Sequence, residues 1–243
     1  KVAAGNEHRG SLFVKSDGSL WGAGSYLGGA DPVRDLGPRQ LDAGPVTSYS
    51  IGGQHFHNYA LWTRPDGSLW GVGLTNNRAF GDGNVSHSDP VQLESSGVVS
   101  VSAGVYHSLI VKDDGSLWAA GNNIWGQLGD GTTEERHIRV KVVDANVTAA
   151  LAGYNTSWFL KSDGTLWGMG KNVGSNWGDG TTADSPVPVQ ASITGVAAIS
   201  DRGYVQKTDG SLWRSYYSDW IQSVDANVTF VESGYRNTIF IKT

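Results

Sequence analysis

The side chains best suited to chemistry are the histidines and the clustered carboxylates. His55 and His57 stand two apart, a spacing that could place two imidazoles on one metal ion. His8 and His107 each close a Gly-x-x-His segment, but the corresponding positions hold Thr156 in one copy and Asn237 near the C-terminus. Hydrogen bonding to neighbouring backbone is therefore the simpler role for these histidines. Three Gly-Asp-Gly loops offer Asp82, Asp130 and Asp179, one carboxylate each. A calcium ion takes ~6 to 8 oxygens, so these loops read as tight turns. Glu134-Glu135 and Asp113-Asp114 fall in loop-like sequence and read as solvated charge rather than a general acid and base. No serine sits in a nucleophile-elbow context, and Gly168-Met169-Gly170 is too short for a phosphate-binding loop. The chain has no cysteine, which removes thiol nucleophiles, zinc-thiolate sites and disulfides together. The expectation is a protein that is not an enzyme and has no metal site and no cofactor.

What must position the remaining polar and aromatic residues is an internal repeat. The motif Asp-Gly-Ser/Thr-Leu-Trp recurs with its aspartate at Asp17, Asp66, Asp114, Asp163 and Asp209, at intervals of 46 to 49 residues. A short β-prone run precedes each copy, Leu109-Ile110-Val111 before Asp114 for example. Two such runs joined by Asp-Gly predict a β-hairpin with a two-residue turn, in which glycine supplies the positive φ. Both strands are apolar almost throughout, so both faces of each hairpin must be covered. Small sheets repeated about an axis, one per 40 to 50 residues, meet that requirement and describe the blades of a β-propeller. No segment shows sustained helical periodicity. The strictly periodic Trp21, Trp70, Trp118, Trp167 and Trp213 then read as blade packing, as do Trp62, Trp158 and Trp177 on strand positions.

Composition agrees and excludes partners. Among 243 residues, 34 glycines and 10 tryptophans with a single methionine fit neither a disordered chain nor a helical bundle. A net charge of −5 lacks the basic footprint of a nucleic-acid binder, so no nucleic acid is expected as partner. No apolar run approaches the ~20 residues of a membrane span, so no membrane insertion is expected. The first residues have no signal-peptide pattern, and the expectation is an extracellular or cell-surface, secreted bacterial protein whose export signal has been removed. Four Asn-x-Ser/Thr sequons, at Asn84, Asn146, Asn155 and Asn227, read as repeat inheritance and chance.

The string Ala103-Gly104-Val105-Tyr106-His107-Ser108-Leu109, followed by Asp114-Gly115-Ser116-Leu117-Trp118 and Gly126-Gln127-Leu128-Gly129-Asp130-Gly131-Thr132, resembles the regulator of chromosome condensation repeat. The resemblance extends over the chain, most completely in this third copy. It implies a β-propeller, and members of the family resembling this chain are non-enzymatic binding platforms. The chain departs from the seven blades of well-known members. Five hairpins predict one domain over 1–243 with blades near 1–48, 49–99, 100–148, 149–198 and 199–243, closed by a C-terminal segment from Val228. A sixth blade finished by a second chain, and so possible self-association, stays open.

If the Asp-Gly turns lie at one end of the blades, the Gly-x-x-His turns and the Gly-Asn-Asn loops must meet at the other. That face would carry Tyr106, Trp125, Tyr154, Tyr217 and Trp220 as anchors, with His107, Asn122, Asn123 and Arg236 as polar contacts and His55, Phe56, Asn155 and Tyr235 around them. Tyr, Trp and Arg are the types enriched at binding hot spots. In family members that inhibit β-lactamases, the residues after this glycine and in the following loop face the partner, and the resemblance implies the same here. The predicted function is recognition of a folded protein partner through that face. A glycan partner, as for a carbohydrate-binding lectin, is the rival. A lectin would repeat one site in every blade, yet this loop position holds Asn77, Trp125 and Gly174 in the second, third and fourth copies. Nucleotide exchange on a small GTPase follows from the family resemblance alone.

Overall fold

A computed structural model describes residues 2–4, 10–24, 27, 37–54, 57–75, 77–172, 177–200, 204–216, 219–233 and 238–242. The elements within these residues are strands in antiparallel order. The first sheet holds β1 (Val2–Ala4), β2 (Gly10–Val14), β3 (Leu20–Gly24) and β4 (Arg39–Asp42). The second holds β5 (Ser48–Gln54), β6 (His57–Thr63), β7 (Leu69–Leu74) and β8 (Ser86–Glu94). The third holds β9 (Val98–Ala103), β10 (His107–Lys112), β11 (Leu117–Gly121) and β12 (Arg136–Val143). The fourth holds β13 (Val147–Ala152), β14 (Thr156–Lys161), β15 (Leu166–Gly170) and β16 (Ser185–Gln190). The fifth holds β17 (Val196–Ser200), β18 (Tyr204–Lys207), β19 (Leu212–Tyr216) and β20 (Asp219–Val224). The C-terminal segment forms a sheet of its own, β21 (Val228–Ser233) with β22 (Thr238–Lys242), and β21 lies against β17. The first strands of sheets two to five, β5, β9, β13 and β17, run next to one another. Among the described residues no helix is long and apolar enough to cross a membrane.

The continuous apolar strands have a direct explanation. Side chains alternate across a strand, and here each side serves a different seam between blades. In β10, Ile110 joins the core shared with Tyr59, Leu61 and Phe80 of the second sheet, while Leu109 and Val111 join the core shared with Phe159 and Met169 of the fourth. In β14, Phe159 faces that same core, while Trp158 and Leu160 pack with Val196 and Val205 of the fifth sheet. Fully burying a side chain of this size stabilises by ~1.5–3 kcal/mol, so the seams between sheets carry the fold. Trp62, Trp158 and Trp177 are core residues, as expected.

The Asp-Gly turns differ from expectation by one residue. Lys112 N donates to Ser116 O and Gly115 N to Lys112 O, each at 3.0 Å, so the loop is the three residues Asp113, Asp114 and Gly115 rather than two. This is a type I turn followed by a left-handed residue, and Gly115 at φ +75° fills that position. The reason lies in the aspartate. Asp66 Oδ1 accepts from Ser68 N at 2.9 Å and Ser68 Oγ at 2.6 Å, and Ser68 Oγ accepts from Trp70 Nε1 at 3.0 Å. The relay recurs in full in the turns at Asp17, Asp163 and Asp209, which accounts for the Asp-Gly-Ser/Thr-Leu-Trp spelling. The cation before each turn lies over the same indole, Lys161 Nζ 4.5 Å from the Trp167 centroid for example. The repeat tryptophans are accordingly half-buried, and Trp70, Trp118, Trp167 and Trp213 pack on the edges of the seam cores.

The Gly-Asp-Gly loops staple successive sheets. Gly83 N donates to His137 O at 2.9 Å and Gly131 N to Pro186 O at 2.8 Å, so the loops of the second and third blades pair with the outer strand of the next blade. A second latch joins the first two sheets. The buried Asp42 carboxylate accepts from Trp62 Nε1 at 2.6 Å, Arg64 Nε at 2.8 Å and Gly44 N at 2.9 Å. Burial alone would raise its pKa, but these hydrogen bonds and the Arg64 charge outweigh it and hold the carboxyl below its ordinary value.

Candidate functional site

The end opposite the Asp-Gly turns is built by two backbone hydrogen bonds of the same kind. Asn122 N donates to Tyr106 O in the third sheet, and Lys171 N donates to Asn155 O in the fourth, each at 2.9 Å. Each bond ties the loop after the second hairpin strand to the turn before the first. The glycines of those turns bridge neighbouring blades, with Gly53 N donating to Gly104 O at 3.0 Å and Val105 N to Gly153 O at 3.2 Å. The ends of successive blades are therefore fixed relative to one another by main chain.

On this base the third and fourth blades form one platform. The Tyr106 and Tyr154 hydroxyls are 3.1 Å apart, and their rings meet edge to face with centroids 5.2 Å apart. On the loop side, Lys171 Nζ lies 4.0 Å from the centroid of the Trp125 ring. Two blades thus contribute two corners each: Tyr106 and Trp125 from the third, Tyr154 and Lys171 from the fourth. Tyr154 is 47% exposed, and Ile124 beside Trp125 is 62% exposed, both large apolar side chains left in solvent. Asn155 and Asn122 are half-buried between the corners.

Below the platform a polar relay crosses the seam. His107 is fully buried, and its Nε2 lies 2.7 Å from Ser157 Oγ, which donates to Gln127 O at 2.7 Å. Ser157 has one hydroxyl hydrogen and gives it to that carbonyl, so His107 Nε2 carries the hydrogen and donates. Gln127, also buried, accepts Trp125 N on Oε1 at 3.0 Å and donates from Nε2 to Asn122 Oδ1 at 2.8 Å. The relay therefore links a histidine of the third blade, a serine of the fourth and the loop that presents Trp125. Desolvation in the seam pushes the His107 pKa down to about 3, so the ring stays neutral at ordinary pH. In the second blade the position that pairs with Gly73, as His107 pairs with Gly121, is Tyr59, whose hydroxyl donates to His107 O at 2.9 Å in the next blade.

This geometry revises several of the expected contacts. His107 and Asn123 are buried and cannot meet a partner. His107 is held inside by the neighbouring Ser157, and its bond is to that side chain rather than to nearby backbone. Asn123 organises its own loop, donating to Asp130 Oδ1 and Thr132 O and accepting from Leu128 N at 2.9 Å. Trp220 lies on β20 rather than in a loop. Its Nε1 donates to Trp177 O at 3.3 Å and its ring stands edge to face on Trp158, so it closes the seam between the fourth and fifth sheets. Tyr106, Trp125, Tyr154, Asn155 and Asn122 come together as described. His55, Phe56, Tyr217, Tyr235 and Arg236 lie outside the described residues. The Gly-Asp-Gly carboxylates are engaged by their own turns, Asp130 Oδ1 by Thr132 N at 3.0 Å and Asp179 Oδ1 by Thr181 N at 3.0 Å. Lys171, Ile124, Gln127 and Ser157 do not figure in the sequence-based set. Lys171 stands one repeat after Asn122, and that register is the signal that could have found it.

Residues 98–127 match the regulator of chromosome condensation (RCC1) repeat, the segment that carries the Tyr106 turn and the Trp125 loop. No match was found among curated protein sequences. Solved structures align over most of the chain. Yeast RCC1 (Prp20), crystallised with Kap60, aligns over the whole chain with a TM-score of 0.79 at 14% identity. Prp20p from Saccharomyces cerevisiae aligns over 97% with a TM-score of 0.76 at 14% identity, and human WBSCR16 over 86% with 0.71 at 19%. The chain spans 67% of each yeast protein's length and 62% of the human one. The fold is a β-propeller. Residues 98–127 carry an RCC1 repeat, as the sequence resemblance implied for this third copy.

Proposed function

We propose that this propeller is a non-catalytic scaffold that recognises a folded protein through the platform between its third and fourth blades. The observation that carries the reading is the platform itself: Tyr106, Trp125, Tyr154 and Lys171, from two blades, joined ring to ring and cation to ring above a buried hydrogen-bond relay. Large aromatic side chains held in place before binding lose little freedom on association, which is how a small number of residues can dominate an interface. The platform is a single composite surface. The turn and loop positions differ in the other blades, which favours one partner epitope over several equivalent sugar sites. The yeast propeller that aligns with this chain was crystallised with Kap60, and the second yeast structure is described with its binding to Gsp1p and histones. That aligned propellers bind proteins supports protein recognition as the use of this one.

Affinity capture from cells that produce the protein tests this, with the wild type, Tyr154→Ala and Trp125→Ala as baits and a glycan array run alongside. One protein retained by the wild type and lost from both variants supports the reading. Identical retention on all three baits, or a glycan signal that disappears in Trp125→Ala, overturns it.

A further inference from the structure

We propose that the platform reads a carboxylate set among apolar groups, an aspartate or glutamate flanked by large side chains on the partner protein. This rests on the platform being a recognition surface and names what it recognises. Lys171 carries the argument. The partner that the structure gives its ammonium is the ring of Trp125, with Nζ 4.0 Å from the centroid. Several other cations stand against acids, Arg64 on Asp42, Arg136 on Asp130, and Lys112 with Arg139 on Glu94. Even the lysines over the repeat tryptophans have the aspartate of their own turn close enough to act on it, Lys161 on Asp163 and Lys207 on Asp209.

Among the described residues no carboxylate makes an ion pair with Lys171, and Asp184, which lies against the next residue, accepts from Asn172 N at 2.8 Å. A ring face attracts a cation through its quadrupole but brings no net charge, so the positive charge of Lys171 remains to be balanced. Its surroundings raise the value of an incoming anion. Trp125 and Lys171 are half-buried, and the exposed Tyr154 and Ile124 supply apolar surface at the rim. A carboxylate entering among them is partly shielded from water and salt, which strengthens its attraction to the ammonium. The Tyr106 and Tyr154 hydroxyls, 3.1 Å apart and hydrogen-bonded to each other, place polar groups at the opposite edge. Large apolar side chains on either side of the partner's acid would cover the rings.

The test uses the full chain labelled with ¹⁵N and two capped peptides, acetyl-Phe-Asp-Phe-amide and acetyl-Phe-Asn-Phe-amide. Binding is read at the Trp125 indole N–H, assigned with Trp125→Phe. The Asp peptide is expected to bind two- to fivefold more tightly than the Asn peptide, the range of a partly exposed ion pair. That advantage should shrink in high salt. Lys171→Met is expected to bring the two peptides to the same affinity. Equal affinities for the wild type, or an Asp advantage that survives Lys171→Met, overturn the charge preference alone. If neither peptide moves the Trp125 indole, the platform is not a recognition surface and the proposal falls with it.

Discussion

Acid should unfold this protein partly through one buried ring. His107 is fully buried, is neutral, and has a pKa lowered from 6.5 to about 3 by desolvation. In the unfolded chain the same imidazole takes up a proton near its ordinary pKa, while in the folded chain it resists until about pH 3. The unfolded state therefore binds more protons throughout that window, and folding stability falls as pH drops through it. Each pH unit inside the window is worth about 1.4 kcal/mol for one group. Between about pH 7 and 5 the loss from His107 alone should approach ~2 kcal/mol. His107→Gln is the comparison, because a side-chain amide can still donate to Ser157 Oγ but does not titrate. Urea denaturation of both proteins at the two pH values gives the test, with equal m-values confirming that the same surface is exposed. The wild type should lose about 2 kcal/mol more than the variant. Parallel stability curves for the two proteins would show that His107 is not held neutral in the seam, and the relay beneath the platform would have to be redrawn.

Other parts of the account are equally open to measurement. Asp42→Ala leaves the buried Trp62 N–H and the Arg64 guanidinium without their acceptor, and should cost about 3 kcal/mol by denaturant titration, the lower end for a broken buried pair because Arg64 keeps some solvent contact. Gly115→Ala forces a side chain into φ +75° with its Cβ 2.7 Å from Asn146 N, and should lose at least about 1–2 kcal/mol while the same change at the open Gly180 costs less. Ser68→Ala removes both hydrogen bonds that Ser68 Oγ makes, with Asp66 and Trp70, and the Asp66 pKa, held low first by that side chain and then by the Ser68 backbone N–H, should rise toward its ordinary value in a carboxyl ¹³C titration.

How far the sequence could be read depended on whether a feature repeats. The hairpins were legible because Asp-Gly and its flanking apolar runs recur, and the two-sided burial of Leu109-Ile110-Val111 followed from its lack of alternation. The turn length was misjudged because an aspartate followed two residues later by serine is a local hydrogen-bond signal, and it favours the three-residue loop with glycine in the left-handed position. The site was legible only in outline. Which end of the blades gathers the turns and loops is a matter of strand direction, and Asn122 with Tyr106 follows from it. What faces inward there is decided between blades, where period gives no guidance. His107 is buried because Ser157 of the next blade meets it, and Trp220 fills a seam because Trp177 and Trp158 stand opposite. The repeat register places Lys171 in the loop position of Asn122, but its contact with a ring one blade away is not legible from period.

The most direct test of the central claim is an amide hydrogen-exchange footprint of the propeller with and without its captured protein partner. The account predicts protection concentrated at residues 105–107, 122–127, 154–155 and 171, with the Asp-Gly turns unchanged. Protection at the Asp-Gly turns or along the outer strands, with the Tyr106–Tyr154 and Trp125–Lys171 segments exchanging as in the free protein, would contradict it.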